Sequence, residues 1–210
     1  MALAALAESR VLPVAVVEDR GTALPLANAL VEGGLRVVEV TLRTPVAAGA
    51  IRDLVGAGGL LVGAGTVIRP AQVQQVCDAG ARFVVTPGFS AGVVRECRAL
   101  GVPVVPGIAT PTELQMALDA GVDTVKFFPA VAAGGVPMIK AMAAPYPDVR
   151  FVPTGGITSA NAAAFLAVPE VLAVGGSWMV APHLLGERRF DEVTALCAEA
   201  AAMAAGAGGA

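Results

Sequence analysis

The sequence predicts an α/β protein of the TIM (β/α)8 barrel class, a single domain over residues 1–210 that opens with a short N-terminal helix. Three observations predict it. Short β-branched runs alternate with alanine-rich helical stretches, and the alternation recurs every ~20 to 25 residues, the cadence of a (β/α) unit. Glycines fall where helices should stop, and 210 residues just accommodate eight compact units. A doubly wound open sheet is the alternative. It is disfavoured because no GxGxxG turn follows the first strand.

The opening segment, 1–10, is apolar but lacks a basic first region and meets Glu8 early, so it reads as a helix rather than a signal peptide. Strands are expected over 12–17, 36–42, 60–64, 83–86, 102–106, 122–127, 150–153 and 171–174. Helices are expected over 23–32, 46–55, 70–79, 91–100, 111–120, 136–143, 159–167 and 190–204. Thr110-Pro-Thr-Glu113 offers an N-cap threonine, a proline at the first helical position and an acid at the third. Gly33-Gly34, Gly80, Gly101 and Gly121 read as left-handed helix ends, and the glycines closing the tail 200–210 favour fraying.

With 56% hydrophobic and 15% charged residues, the chain has a large core and is too apolar for disorder. A net charge of −3 and the absence of any Lys/Arg cluster argue against nucleic acid as a partner. No apolar run approaches the ~18 residues of a membrane span, so no membrane partner is expected. Cys77, Cys97 and Cys197 are odd in number and lack CxxC spacing, which suits reduced thiols in a cytoplasmic protein. His183 is the only histidine, so no metal site is expected.

In a barrel, reacting groups stand at the carboxyl ends of strands. On the second strand Glu39 and Arg43 share one parity with Val37 and Thr41; a glutamate among valines is costly to bury unless it is paired or serves as an acid or base. A structural ion pair of Glu39 with Arg43 or Lys126 is the plainer reading, and the two are compatible. The third strand, Leu61-Val-Gly-Ala-Gly-Thr-Val67, has glycines that would let a ligand approach the backbone. Thr66 offers a hydroxyl at its rim, and with Arg43 it forms a plausible clamp for the carboxylate of a 2-oxo acid.

Thr86-Pro-Gly-Phe89 and Pro106-Gly-Ile-Ala-Thr-Pro111 close the fourth and fifth strands and shape turns rather than react, with Pro87 narrowing the pocket. The sixth strand carries Lys126, one of only two lysines, in Val122-Asp-Thr-Val-Lys-Phe-Phe-Pro129. Apolar surroundings penalise the ammonium form and favour a nucleophilic amine suited to Schiff-base formation with a carbonyl. Phe128 lines the same pocket. A lysine whose stem lies on apolar surface while its head reaches water is the bland alternative. Pro153-Thr-Gly-Gly-Ile157 and Val174-Gly-Gly-Ser-Trp178 end the seventh and eighth strands, where barrels grip phosphate with bare backbone N–H groups. Gly155, Gly156, Gly176 and Ser177 are the candidates. Phe89 and Trp178 could border the site.

Together these segments resemble the 2-keto-3-deoxy-6-phosphogluconate (KDPG) aldolase / 4-hydroxy-2-oxoglutarate (KHG) aldolase family, nearly end to end. The motifs carrying the resemblance are Val38-Glu-Val-Thr-Leu-Arg43, Gly63-Ala-Gly-Thr-Val67, Val85-Thr-Pro-Gly88, Pro106-Gly-Ile-Ala-Thr-Pro111, Val125-Lys-Phe-Phe-Pro-Ala130, Pro153-Thr-Gly-Gly156 and Gly175-Gly-Ser-Trp178. The resemblance implies a class I aldolase of the Entner–Doudoroff route. It implies that Lys126 forms the Schiff base, Glu39 is the general acid/base, Arg43 and Thr66 hold the pyruvate carboxylate, and Gly155, Gly156, Gly176 and Ser177 hold phosphate. It further implies a small-molecule substrate, either a sugar-acid phosphate or another 2-oxo acid, no cofactor, and a homotrimer. Arg43 and Gly88 stand where a galactonate-acting branch typically carries asparagines, which favours the gluconate branch. A sugar-phosphate epimerase or isomerase would share the glycine pairs but wants paired aspartates or metal-binding histidines. A noncatalytic phosphate-binding barrel leaves Lys126, Glu39 and Arg43 unexplained.

Overall fold

The computed structural model describes residues 2–206, so the last four residues of the tail expected to fray lie outside the described residues. Helix α1 (Ala2–Ser9) precedes β1 (Val11–Ala15), α2 (Ala23–Glu32), β2 (Val37–Thr41), α3 (Ala47–Ala57), β3 (Leu61–Gly65) and α4 (Pro70–Asp78). There follow β4 (Val84–Val85), α5 (Ala91–Ala99), a fifth strand β5 in two pieces (Val104–Val105 and Gly107–Ile108), α6 (Pro111–Asp119) and β6 (Thr124–Phe127). The chain ends with α7 (Gly135–Ala143), β7 (Arg150–Pro153), α8 (Ala162–Leu166), β8 (Val174–Gly176), α9 (Pro182–Gly186) and α10 (Phe190–Gly206).

Closure distinguishes this barrel from an open sheet. Strand β1 pairs in parallel with both β2 and β8, the latter through Val11 opposite Val174. The other side closes through β5, whose first piece pairs with β4 and whose second pairs with β6. Parallel bridges from Phe151 to Val171 and from Thr154 to Gly175 join β7 to the eighth segment. Pro106 interrupts β5 because it has no N–H to donate to a ladder, yet its carbonyl still accepts the Lys126 N–H at 2.8 Å.

Two apolar layers follow from the period of two along each strand. Leu12, Val37, Phe83, Val85, Val105 and Val152 fill the barrel, together with Leu6 of α1, which seals the amino-terminal end. Val38, Val40, Val62, Val84, Val125 and Phe127 face outward and pack beneath the helices. Cys97 and Cys197 lie buried on α5 and α10, where burial pushes each thiol up to about 12; Cys77, half-buried on α4, is raised by burial first and by Asp78 second.

Several boundaries differ from the sequence reading. The run 171–174 was expected as a strand, but Val171 makes only an isolated bridge and the ladder to β1 begins at Val174. Barrel closure rather than local hydrophobicity sets that start, so Gly176 lies inside a strand rather than in a turn. The helix expected over 159–167 shortens to Ala162–Leu166, because Asn161 holds a turn ahead of it by accepting from the Thr158 N–H at 2.9 Å. Gly34, Gly80, Gly101 and Gly121 take left-handed φ as expected. Gly33 instead makes room for α10, since a Cβ there would lie 2.4 Å from that of Cys197.

The cap of α6 forms as its sequence signals. Glu113 Oε2 accepts from the N–H groups of Ala109 and Thr110 at 2.8 and 2.9 Å, while Thr110 Oγ1 accepts from Glu113 N–H at 3.3 Å. The Ala109 N–H is the main cause holding the Glu113 carboxyl below its ordinary value, with the Thr110 hydroxyl and N–H adding to it against desolvation. A depressed folded-state value means that this stabilisation is complete above the unfolded carboxyl's pKa and is lost as pH falls through the folded one. Glu113→Ala should therefore cost about 1 kcal/mol at pH 7 and progressively less below about pH 4. Urea unfolding at pH 7 and pH 3 checks this; an undiminished difference at pH 3 rules out the carboxylate as its source.

Candidate active site

Strand parity brings the two central side chains together. Val37 faces the barrel interior while Val38 and Val40 face the helices, so Glu39 points inward. On β6, Val125 and Phe127 face outward, which turns Thr124 and Lys126 inward. The second and sixth strands stand opposite one another in an eight-stranded barrel, and their side chains meet across it. Lys126 Nζ lies 3.3 Å from Glu39 Oε1 although the residues are 87 positions apart. Their side chains are 7% and 1% exposed.

The sequence reading left Glu39 free to pair with Arg43 or Lys126; its partner is Lys126. Glu39 Oε2 is buried and has no hydrogen-bond partner among the described residues. A buried acceptor left in that condition is costly, and it is relieved when a hydroxyl or a water reaches it. The Phe128 ring centroid lies 5.4 Å from Nζ, a cation–π approach when the amine is charged. The bland reading of Lys126, with its head in water, does not hold.

Arg43 and Thr66 leave neighbouring strand ends at the carboxyl-terminal rim, since the Leu42 N–H donates to the Gly65 carbonyl at 2.8 Å. Arg43 is exposed in the turn after β2, with no hydrogen bond or ion pair among the described residues. Thr66 is half-buried with φ +57°, a strained conformation for a β-branched residue. The glycines of β3 do not serve as the sequence reading expected. They face side chains rather than open space for a ligand: a Cβ on Gly63 would lie 2.2 Å from the Phe83 ring, and one on Gly65 would lie 2.0 Å from Glu39 Oε1.

The bridge from Thr154 to Gly175 sets the two glycine segments side by side. Gly155 and Gly156 take φ +96° and +77°, values that favour glycine, and the Gly155 carbonyl accepts from the Val131 N–H at 3.1 Å. Gly176 lies under the half-buried Trp178, whose ring a Cβ at 176 would meet at 1.9 Å. Ser177 is exposed and its hydroxyl has no hydrogen-bond partner among the described residues. Backbone N–H groups and a free hydroxyl at such a rim can hold an anion.

Two polar side chains organise this rim: Thr86, which the sequence placed among the turn-shaping residues without a role of its own, and Asn161, which it did not single out. Thr86 Oγ1 donates to the Gly88 carbonyl at 2.6 Å and accepts from the Gly107 N–H at 3.1 Å. It thereby clamps the Pro87 turn against β5, so close that a Cβ on Gly107 would lie 2.3 Å from the Pro87 carbonyl carbon. Pro87 is half-buried there. Asn161 Nδ2 donates to the Gly156 carbonyl at 2.9 Å and steadies the glycine turn after β7. Thr86 closes an apolar run and could have been found by the same rule that singled out Lys126. Asn161 had no signal beyond its turn propensity.

Among the described residues no cluster of three His, Cys, Asp or Glu side chains is arranged to hold a metal ion. A cavity of about 510 Å³ opens at the opposite, amino-terminal face beside Glu8, Arg10 and Arg36. The candidate site is marked by convergent polar groups, not by volume.

The family model for KDPG and KHG aldolases matches residues 3–196. The 2-dehydro-3-deoxy-phosphogluconate aldolase of Treponema pallidum is 51% identical over 193 residues, covering 91% of this chain and 92% of that protein. The crystal structure of KDPG aldolase from Zymomonas mobilis with 3-phosphoglycerate superposes with a TM-score of 0.92 at 42% identity, covering 96% of this chain and 95% of that one. The KDPG aldolase of Legionella pneumophila, with pyruvate captured at low pH as a covalent carbinolamine intermediate, gives a TM-score of 0.91 at 44% identity, covering 94% and 97%. A matched segment that takes in every strand and both halves of the Lys126–Glu39 pair, with relatives of this identity and coverage, means that the chain belongs to the KDPG and KHG aldolase family.

Proposed function

We propose that this chain cleaves 2-keto-3-deoxy-6-phosphogluconate to pyruvate and glyceraldehyde 3-phosphate, with Lys126 forming the imine and Glu39 moving the protons, and that it also cleaves 4-hydroxy-2-oxoglutarate to pyruvate and glyoxylate. Family membership makes the chain a class I aldolase. The observation that carries the assignment of residues is the buried pair with Nζ and Oε1 3.3 Å apart and Oε2 unpartnered.

The attacking species is the uncharged amine. Nζ attacks the C2 ketone to give a carbinolamine, and loss of water yields an iminium that acts as an electron sink. Glu39, as carboxylate, takes the C4 hydroxyl proton; the C3–C4 bond breaks, releasing the aldehyde and leaving an enamine. The proton returned to C3 regenerates the iminium, and hydrolysis frees pyruvate and the amine. Arg43 and Thr66 hold the substrate carboxylate at the rim between β2 and β3. Gly155, Gly156, Gly176 and Ser177 receive the phosphate, Pro87 and Phe128 wall the pocket, and contacts so far from the reacting carbons orient the substrate.

Incubation with pyruvate followed by borohydride should add a single reduced pyruvyl group to the chain, and peptide mass spectrometry should place it on Lys126. An unmodified Lys126 would sink the proposal. The enzyme is further proposed to assemble as a homotrimer in the cytoplasm, a reading supported by the family resemblance.

A further inference from the structure

We infer that Gly65 is a positioning residue of the proposed reaction: its missing side chain is the seat of the Glu39 carboxylate. The inference rests on Glu39 being the group that moves the C4 hydroxyl proton. Strand β3 turns two glycines into the barrel, and each is empty for a different neighbour. Gly63 receives the Phe83 ring, which belongs to the apolar filling below the site. A Cβ on Gly65 would lie 2.0 Å from Glu39 Oε1 and 2.6 Å from both Cδ and Cγ. These are the three nearest atoms, and they are all on one side chain.

The backbone at position 65 gives no reason of its own for glycine. It lies at the end of a regular strand, paired with Thr41, and its φ is not among the positive values of the chain. Alanine is conformationally acceptable there. The obstacle is the carboxylate, and the carboxylate cannot yield sideways without cost, because Glu39 is fully buried and its Oε1 is held by Lys126. An added methyl therefore displaces the acid by an ångström or so from the position that reaches both the amine and the C4 hydroxyl. Misplacement on that scale costs about 100-fold in rate, because general-base transfer requires hydrogen-bond distance in the reacting complex.

The test is a double-mutant cycle. Gly65→Ala in the otherwise native chain is expected to lower kcat for KDPG cleavage by about 100-fold, to leave KM nearly unchanged, and to retain borohydride trapping of pyruvate, which needs only Lys126. In a Glu39→Ala background Cγ, Cδ and Oε1 are all absent and the new methyl meets none of them, so the same substitution should lower the residual kcat less than about fivefold. An equal loss in both backgrounds, or a single-variant kcat within threefold of the native enzyme, would overturn the inference. If Gly65→Ala fails to fold and the double variant folds, the clash with Glu39 is upheld. If both fail to fold, something other than the carboxylate fills the space and the inference falls. The native enzyme in the same assays keeps the two readings apart: failure of native cleavage or trapping refutes the proposed function, whereas equal losses on a working native enzyme refute only the role of Gly65.

Discussion

Lys126→Met is expected to abolish covalent capture of pyruvate and to lower KDPG cleavage by at least about 10⁴-fold, equivalent to about 5.5 kcal/mol of lost transition-state stabilisation. The reason is chemical rather than steric. The iminium supplies the electron sink that makes cleavage of a carbon–carbon bond feasible, and no other lysine stands inside the barrel to replace it; Lys140, the second lysine, is exposed on α7. The same substitution leaves Glu39, 0% exposed, without its partner, so the variant should also lose about 3 kcal/mol of folding stability. Adding Glu39→Gln should return part of that stability without returning any activity. Calorimetry or urea unfolding of the two variants, beside a trapping assay, checks both halves. Cleavage within tenfold of the native rate would remove Lys126 from the chemistry.

Glu39→Gln should give the second-largest effect and a different pattern. The amide occupies nearly the same volume and can sit in the same seat against Gly65, yet it cannot accept a proton. Cleavage is expected to fall by about 10² to 10⁴-fold, while pyruvate is still trapped on Lys126. Single-turnover cleavage and borohydride trapping on one preparation separate the two steps. Full cleavage activity would take Glu39 out of the mechanism. Loss of cleavage and trapping together would mean that its main task is to hold the amine rather than to move the C4 proton.

The pairing of Lys126 with Glu39 shows how far the sequence was legible. The period of two along 36–42 and 122–127 turned both residues inward, because parity is a property of a few neighbouring residues. That they face one another at 3.3 Å was not legible. It depends on closure, which brings β2 and β6 to opposite walls at one height. Gly65 illustrates the same limit: glycine on a strand signals a close approach, and the sequence reading supposed a ligand where the neighbour is a carboxylate. The shift of the eighth strand to Val174–Gly176 has the same origin, since its start is dictated by pairing with Val11–Pro13.

By itself, the sequence determined the order of the eight strands and of the helices between them, though not the short α9 after β8, together with the barrel class, the cap at Thr110–Glu113 and the inward parity of the reactive pair, all of which rest on periodicity and capping within about ten residues. Only the tertiary structure decided which side chains meet. It matched Lys126 to Glu39 rather than Arg43 to Glu39, gave the Gly65 vacancy to the carboxylate, clamped the Pro87 turn through Thr86, and set the two glycine segments side by side. Those outcomes follow from the register and closure of eight strands, quantities that no local stretch of chain contains.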